Sequence, residues 1–288
     1  MRVGVLAVGL IVLALGLAAT ATGGPSTPAA IPGCAKASLN LVADGRFSLA
    51  TDNPAFPPWW GGAPKKPWQV SNPASRKGYE SAVAYAVAKQ LGFSKGQVTW
   101  SAVPFNNSFR PGKKPFDFYM AQVSFAPERA NNVSFSNAYY FVNQAVVANA
   151  GTPISRVKTV AGLRPYKLGA QVGTTSYSYI TRFIRPSQTA AVYDSNNDAI
   201  SALKAGQIDG IVVDLPTAFY VVAVQLDDGT IVGKLPQRGP RERFGMVFEK
   251  GNPLVRCVNR ALNRLWANGT MKGLQKKYLA RAGAPDLK

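Results

Sequence analysis

Two short segments carry side chains whose types and placement suit recognition of a doubly charged small molecule. Ser124-Phe125-Ala126-Pro127-Glu128-Arg129 follows the strand-like run Phe116-Asp117-Phe118-Tyr119-Met120. Arg129 therefore falls a few residues past a strand end, where a sheet delivers side chains into a cleft. A guanidinium there can grip a carboxylate through two parallel charge-assisted hydrogen bonds, a planar match that lysine lacks. Farther along, Asp209-Gly210-Ile211-Val212-Val213-Asp214 ends a second apolar strand in a carboxylate. One fixed cation and one fixed anion are what the two charged groups of an amino acid require. On these two segments alone, a surface arginine and a turn aspartate fit equally well.

Composition narrows the chemistry further. The 288-residue chain contains no histidine, which removes Ser-His-Asp and Cys-His catalysis and most zinc sites. No Gly-x-Ser-x-Gly elbow and no Gly-x4-Gly-Lys phosphate loop occurs. With 14 acidic residues and no Asp/Glu cluster, a carboxylate calcium cage is not expected either, so no metal and no cofactor is assigned. The formal charge of +19 is dispersed along the chain. It suits an anionic wall polymer or lipid surface, or a solubilising surface with no partner.

The N-terminus reads as an export signal. Arg2 is a short positive region, Val3 to Ala19 is uncharged and apolar, and Ala19-Thr20-Ala21 offers a small-x-small cleavage site. Residues 1–21 are thus expected to be removed, and 22–37 to form a flexible tether. Two cysteines, Cys34 and Cys257, stand at opposite ends of the exported part. In an oxidising compartment a Cys34–Cys257 disulfide is the simpler account; the alternative is lipidation of Cys34 after Ile31-Pro32-Gly33.

The elements that must position Arg129 and Asp214 alternate between strand and helix, which indicates an α/β protein. Strands are expected at Phe47–Thr51, Ala145–Ala148, Lys167–Val172, Gly210–Val213 and Phe244–Glu249. Tyr79, Val83, Ala86, Val87 and Leu91 recur at helical spacing, and Gly92 stops that helix. Helices are also expected from near Tyr177, over Asn197–Ala205, and from Pro216 through Gln225. The C-terminal helix places Leu254, Cys257, Val258, Ala261, Leu262 and Leu265 on one face, so Cys257 should point into the core.

The order of these motifs resembles the amino-acid-binding type of extracytoplasmic solute-binding protein that serves ABC importers, over roughly Leu39 to Leu279. Ala50-Thr51-Asp52-Asn53-Pro54-Ala55-Phe56-Pro57-Pro58 is similar to the opening segment of that family. Gly78-Tyr79-Glu80, leading to Val87-Ala88-Lys89-Gln90-Leu91-Gly92, resembles its Gly-aromatic-acid helix. Ala126-Pro127-Glu128-Arg129 resembles its Thr-x-Glu-Arg carboxylate signature, and Phe135-Ser136-Asn137-Ala138-Tyr139-Tyr140 its Phe-Ser-x-x-Tyr-Tyr. Gly169 to Ser176 is similar to its second-lobe ligand loop.

The resemblance implies a type II periplasmic-binding-protein fold: two α/β lobes joined by crossover strands near Gln144–Ala148 and Phe244–Glu249. Lobe 1 is then residues 38–145 and 244–288, and lobe 2 is residues 146–243. It further implies that Arg129 holds an α-carboxylate, helped by backbone N–H groups of Ser124 and Thr175 at a helix start. Asp214 is to hold the α-ammonium, with the Gln122 carbonyl and Ser124 hydroxyl as further acceptors. Phe56 and Phe105 match the aromatic pair that sandwiches the ligand, and Asp52 and Gln171 sit where side-chain specificity is read. The implied partners are a free amino acid and a membrane permease of an ABC importer, with a monomeric, non-enzymatic, exported receptor that binds no nucleic acid. An alternative on the same scaffold is an enzyme similar to a cyclohexadienyl dehydratase, with Asp52 and Asp214 as its acid–base candidates. Three departures stand out: the long segment Trp59–Trp68, either a lid or a surface flap; Arg110–Pro115 in place of the usual helix; and Asn137 in place of aspartate.

Overall fold

The computed structural model describes residues 1, 4, 30–279 and 283–288. Apart from residues 1 and 4, the expected export signal, its cleavage site and residues 22–29 of the tether lie outside the described residues. Twelve strands run through the described part: β1 (Phe47–Thr51), β2 (Val98–Ala102), β3 (Phe118–Tyr119), β4 (Val133–Phe135), β5 (Tyr140–Phe141) and β6 (Gln144–Asn149), followed by β7 (Leu168–Gln171), β8 (Ala191–Tyr193), β9 (Gly210–Asp214), β10 (Gly229–Lys234), β11 (Arg243–Phe244) and β12 (Val247–Glu249).

They build two five-stranded sheets and a two-stranded ribbon, an α/β architecture of two lobes. The first sheet has the order β2-β1-β3-β12-β4 and the second β10-β6-β9-β7-β8. In each, the strands that carry cleft residues run parallel to a neighbour, β1 with β2 and β7 with β9. Their carboxyl ends therefore open on the same side, where an α/β sheet presents its ligand crevice.

The lobes have separate cores. The helix Tyr79–Gln90 buries Val83, Ala84 and Val87 against β1, and the helix Leu254–Ala267 buries Leu254, Val258, Ala261, Leu262 and Leu265. Cys257 sits on that buried face as its spacing predicts, bridged to Cys34 with a Cα–Cα distance of 5.6 Å. The chain before Cys34 is seated by the same helix, since Arg264 donates to the Ala30 carbonyl at 3.0 Å and Arg260 to that of Pro32. In the second lobe, Val146, Leu168 and Val212 pack on one face of the sheet and Val147, Ile211 and Val213 on the other.

Two placements differ from the sequence expectation. The chain passes between the sheets at β5 and β11, paired antiparallel as Phe141↔Arg243 and Tyr140↔Phe244. Gln144–Ala148 is instead an interior strand of the second sheet, hydrogen-bonded to β9 on one side and β10 on the other. Val247–Glu249 likewise pairs with β3 and β4 inside the first sheet. A continuous apolar run marks a strand buried on both faces, but it carries no information on which sheet the strand joins. The second difference is at the C-terminus, where the expected first-lobe segment 244–288 ends on the other lobe. Leu287 is buried in the second-lobe core, its N–H donates to the Lys234 carbonyl at 2.9 Å, and Asp286 pairs with Lys234 at 2.8 Å.

Smaller shifts are local. The helix expected from Tyr177 begins at Thr175, because Thr174 rather than Ser176 supplies the capping oxygen, accepting from the Tyr177 N–H at 3.1 Å. Arg110–Pro115 forms no helix; a single turn at Phe105–Ser108 precedes it. Gly78 has φ +89°, and a Cβ there would lie 2.5 Å from the Trp60 backbone, so only glycine lets the helix Tyr79–Gln90 start against the Trp59-Trp60 segment.

Candidate ligand-binding cleft

A cleft between the two sheets is lined from the first lobe by Asp52, Phe56, Phe105, Gln122, Ser124 and Arg129, and from the second by Gln171, Thr175 and Asp214. All nine residues singled out in the sequence therefore face one space. The local chain explains how each arrives there. Asp52 follows the carboxyl end of β1, Gln171 closes β7, and Asp214 closes β9. Arg129 is fixed by the turn Pro127–Ala130, whose proline occupies its first position.

Arg129 is buried, 8% exposed, and its charge is spread over contacts from both lobes. One terminal nitrogen donates to the Ser124 carbonyl at 2.6 Å and the other to the Gly173 carbonyl at 2.7 Å. The guanidinium carbon lies 4.6 Å from the centre of the Phe109 ring and 5.5 Å from that of Phe105. A guanidinium has five N–H donors, so three remain for another acceptor. Burial lowers the Arg129 pKa to about 10, with Glu242 and Asp214 acting against that shift. Gly173, at φ +74°, has no side chain to block this approach; a Cβ there would meet Asn106 Oδ1 at 2.5 Å.

The carboxylates are set differently. Burial pushes the Asp214 pKa well above the ordinary carboxylate range, and the neighbouring Glu242 pushes it further. Gln144 Nε2 donates to Asp214 Oδ1 at 2.7 Å, which works in the opposite direction. Burial also raises the Asp52 pKa, against hydrogen bonds from the backbone N–H groups of Asn53, at 2.8 Å, and Phe105. Among the described residues neither Arg129, Asp52 nor Asp214 forms an ion pair. Beside Asp52 the Thr51 hydroxyl is buried and has no hydrogen-bond partner in the protein.

The two aromatic residues make different ring contacts. Phe56 packs against Tyr220 of the second lobe, ring centres 6.1 Å apart, while Phe105 packs against Phe109 under Arg129. Gln122 contributes its backbone, at φ 52°, because its side chain turns away. Its N–H donates to Glu80 Oε1 at 2.7 Å and its amide nitrogen to Glu80 Oε2.

Four residues shape the site through contacts that no local motif shows. Glu80, fully buried, holds Gln122 and accepts from the Tyr139 hydroxyl; burial raises its pKa to about 7. Trp59 and Trp60, 2% exposed each, make part of the extra segment a wall of the cleft, not a surface flap. Glu242 accepts hydrogen bonds from the hydroxyls of Ser124 and Thr175. The Gly-aromatic-Glu spelling around Glu80 was visible, but not its contact with Gln122, 42 positions away.

A model of the family described as bacterial extracellular solute-binding proteins, family 3, matches residues 61–281. The chain is 30% identical over 204 residues to the ABC transporter arginine-binding protein 1 of Escherichia coli, covering 70% of this chain and 81% of that one. It is 27% identical over 230 residues to the L-arginine-binding protein of Pseudomonas aeruginosa, covering 74% and 84%. The L-cystine-binding protein TcyJ of Escherichia coli is 28% identical over 207 residues, covering 70% and 73%. Among solved structures, an ancestral arginine-binding protein bound to glutamine superposes with a TM-score of 0.67 at 25% identity, over 82% of this chain and 99% of that one. Two lobes around a cleft and a family match over most of the chain agree: the protein belongs to family 3 of the bacterial extracellular solute-binding proteins.

Proposed function

We propose that this protein is an extracytoplasmic receptor that binds a free amino acid between its lobes and delivers it to the permease of an ABC importer. The observation that carries the reading is the pair Arg129 and Asp214, on opposite lobes of one cleft, neither of which forms an ion pair among the described residues. A ligand with a carboxylate and an ammonium meets both only when the lobes are together, so its binding favours the closed form. Relatives named for arginine, cystine, glutamine and histidine binding support an amino acid as the ligand class.

Within that class the cleft favours a cationic side chain. Its charged lining is Arg129 against Asp52 and Asp214, and Asp52 forms no ion pair among the described residues. Phe56, Trp59 and Phe105 offer apolar faces on which a long aliphatic or guanidinium-bearing stem can lie. The roles follow: Arg129 for the carboxylate, Asp214 and the Gln122 carbonyl for the ammonium, and Asp52 with Thr51 for the far end, with Gln171 closing the pocket from the second lobe.

The test is a thermal-shift screen of the protein, disulfide oxidised, against the common L-amino acids and prephenate. A ligand at about 1000 times its Kd adds roughly 4 kcal/mol to the folded state. An upward shift with L-arginine, L-lysine or L-ornithine, lost in Arg129→Ala, is the expected result. A shift with neutral amino acids alone removes the cationic assignment and leaves the receptor. No shift with any amino acid removes the receptor reading, and a shift confined to prephenate replaces it with the dehydratase-like one.

A further inference from the structure

The hydroxyls at the carboxylate end of the cleft already hold a carboxylate, and it belongs to the chain itself. Glu242 immediately precedes β11 of the ribbon. Its Oε1 accepts from Ser124 Oγ at 2.6 Å and from Thr175 Oγ1 at 2.6 Å, so a single oxygen binds one hydroxyl from each lobe. Gln144 Nε2 lies 3.1 Å from both Glu242 oxygens and 2.7 Å from Asp214 Oδ1, and thus stands between two carboxylates. The Glu242 N–H donates to Gln237 Oε1 at 3.2 Å, which fixes the loop. Arg129 does not neutralise it at contact distance, since both of its hydrogen bonds go to backbone carbonyls.

We propose that Glu242 is a specificity-determining residue: a built-in carboxylate, seated on the two hydroxyls beside Arg129, that sets how readily the cleft takes a ligand carboxylate relative to a ligand cation. The inference rests on the receptor reading above and concerns the same cleft. A ligand carboxylate brought to Arg129 enters the field of a fixed negative charge whose hydrogen bonds already occupy the Ser124 and Thr175 hydroxyls. Standing behind those hydroxyls rather than in the cleft lining, the same charge attracts a cationic group at longer range. At distances of a few ångströms in a partly enclosed site such a charge changes affinity by about tenfold or more.

L-arginine and agmatine separate the two effects, because agmatine is the same cation without the carboxylate. Glu242→Gln keeps an acceptor oxygen for the two hydroxyls and removes the charge. Calorimetric titration of the wild type and Glu242→Gln with both compounds should show L-arginine binding about tenfold tighter in the variant and agmatine no tighter, so the preference for L-arginine rises. Melting curves establish that the variant is folded; if it is not, Glu242→Ala is read in the same way. Unchanged or weaker L-arginine binding in the folded variant overturns the inference and leaves the receptor standing. An equal gain for both compounds also overturns it, because the charge then does not discriminate. No heat with L-arginine in either protein removes the cationic reading and this inference together.

Discussion

Trp59 in the first lobe donates its indole N–H to Thr217 Oγ1 in the second at 3.0 Å. The bond crosses the cleft beside Phe56 and Tyr220, which touch across the same gap. The indole is held from behind by Tyr79, Tyr140 and Phe244, so its donor is pre-aimed and little side-chain entropy is lost when the lobes meet. Thr217→Val keeps the shape and removes the acceptor. The closed form then loses about 1 kcal/mol and ligand affinity falls about fivefold, with the melting temperature of the ligand-free protein nearly unchanged. Titration calorimetry and a melting curve on the same sample check both halves.

Arg129 is asked to bridge two backbone carbonyls while offering its remaining donors to a ligand. Lysine carries the charge but no planar fork, so it cannot serve Ser124 and Gly173 together and still present a paired face. Arg129→Lys is expected to bind the ligand at least a hundredfold more weakly, close to the loss in Arg129→Ala. Near-wild-type affinity in the lysine variant would show that charge alone suffices at this position.

Much of this site was legible because it is written in short, contiguous motifs. Arg129, Asp214, Asp52 and Thr175 sit at strand or helix ends, and an end is a local property of sequence. Cys257 was legible for the same reason, through the spacing of one helix face. What escaped were contacts between distant segments: Glu242 meets Ser124 and Thr175 across 118 and 67 positions, and Trp59 meets Thr217 across 158. Gln144–Ala148 has the composition of a strand in either role, and only its pairing with β9 and β10 decides which sheet it joins. The seat of Leu287 on the second lobe is likewise a tertiary fact with no signal in the last residues themselves.

Asp52 lies at the end of β1, held by two backbone N–H groups and without a cationic partner among the described residues. Asp52→Asn preserves its shape and removes the charge that a cationic side chain would meet. L-arginine affinity should fall about tenfold or more, whereas L-glutamine affinity should stay within threefold. Competition titration with the two amino acids gives the ratio directly. Equal losses would place Asp52 outside side-chain recognition.

The Cys34–Cys257 bridge joins two residues of the first-lobe core and closes a loop with a sequence separation of 223 that includes the second sheet. Loop closure of that length stabilises by about 5 kcal/mol in the chain-entropy model, and measured bridges commonly give 2–5. The double replacement by serine should lower the urea midpoint accordingly. Because both cysteines lie in the first-lobe core, ligand affinity of the folded variant should change less than threefold. A large affinity loss would mean that the bridge also restrains the hinge.

Glu80 predicts the sign of the pH dependence of stability. Burial raises its pKa from 4.5 to about 7, against the hydrogen bonds from Tyr139 and Gln122. The native state therefore binds more protons than the unfolded chain between those two values, and stability falls as pH rises through that window. Asp52, Asp117 and Asp214 are raised by burial as well and lean the same way. A shift of this size corresponds to about 3 kcal/mol for Glu80 alone, lost progressively from pH 4.5 to above 7. Urea unfolding of the ligand-free protein at pH 5 and pH 8 should give a higher midpoint at pH 5. Glu80→Gln should flatten the slope, and it should cost stability at both pH values because an amide cannot accept from the Gln122 N–H, the Gln122 amide and the Tyr139 hydroxyl at once. The slope, not the absolute midpoint, is the diagnostic quantity: an unchanged slope in the folded variant would assign the pH dependence to the aspartates.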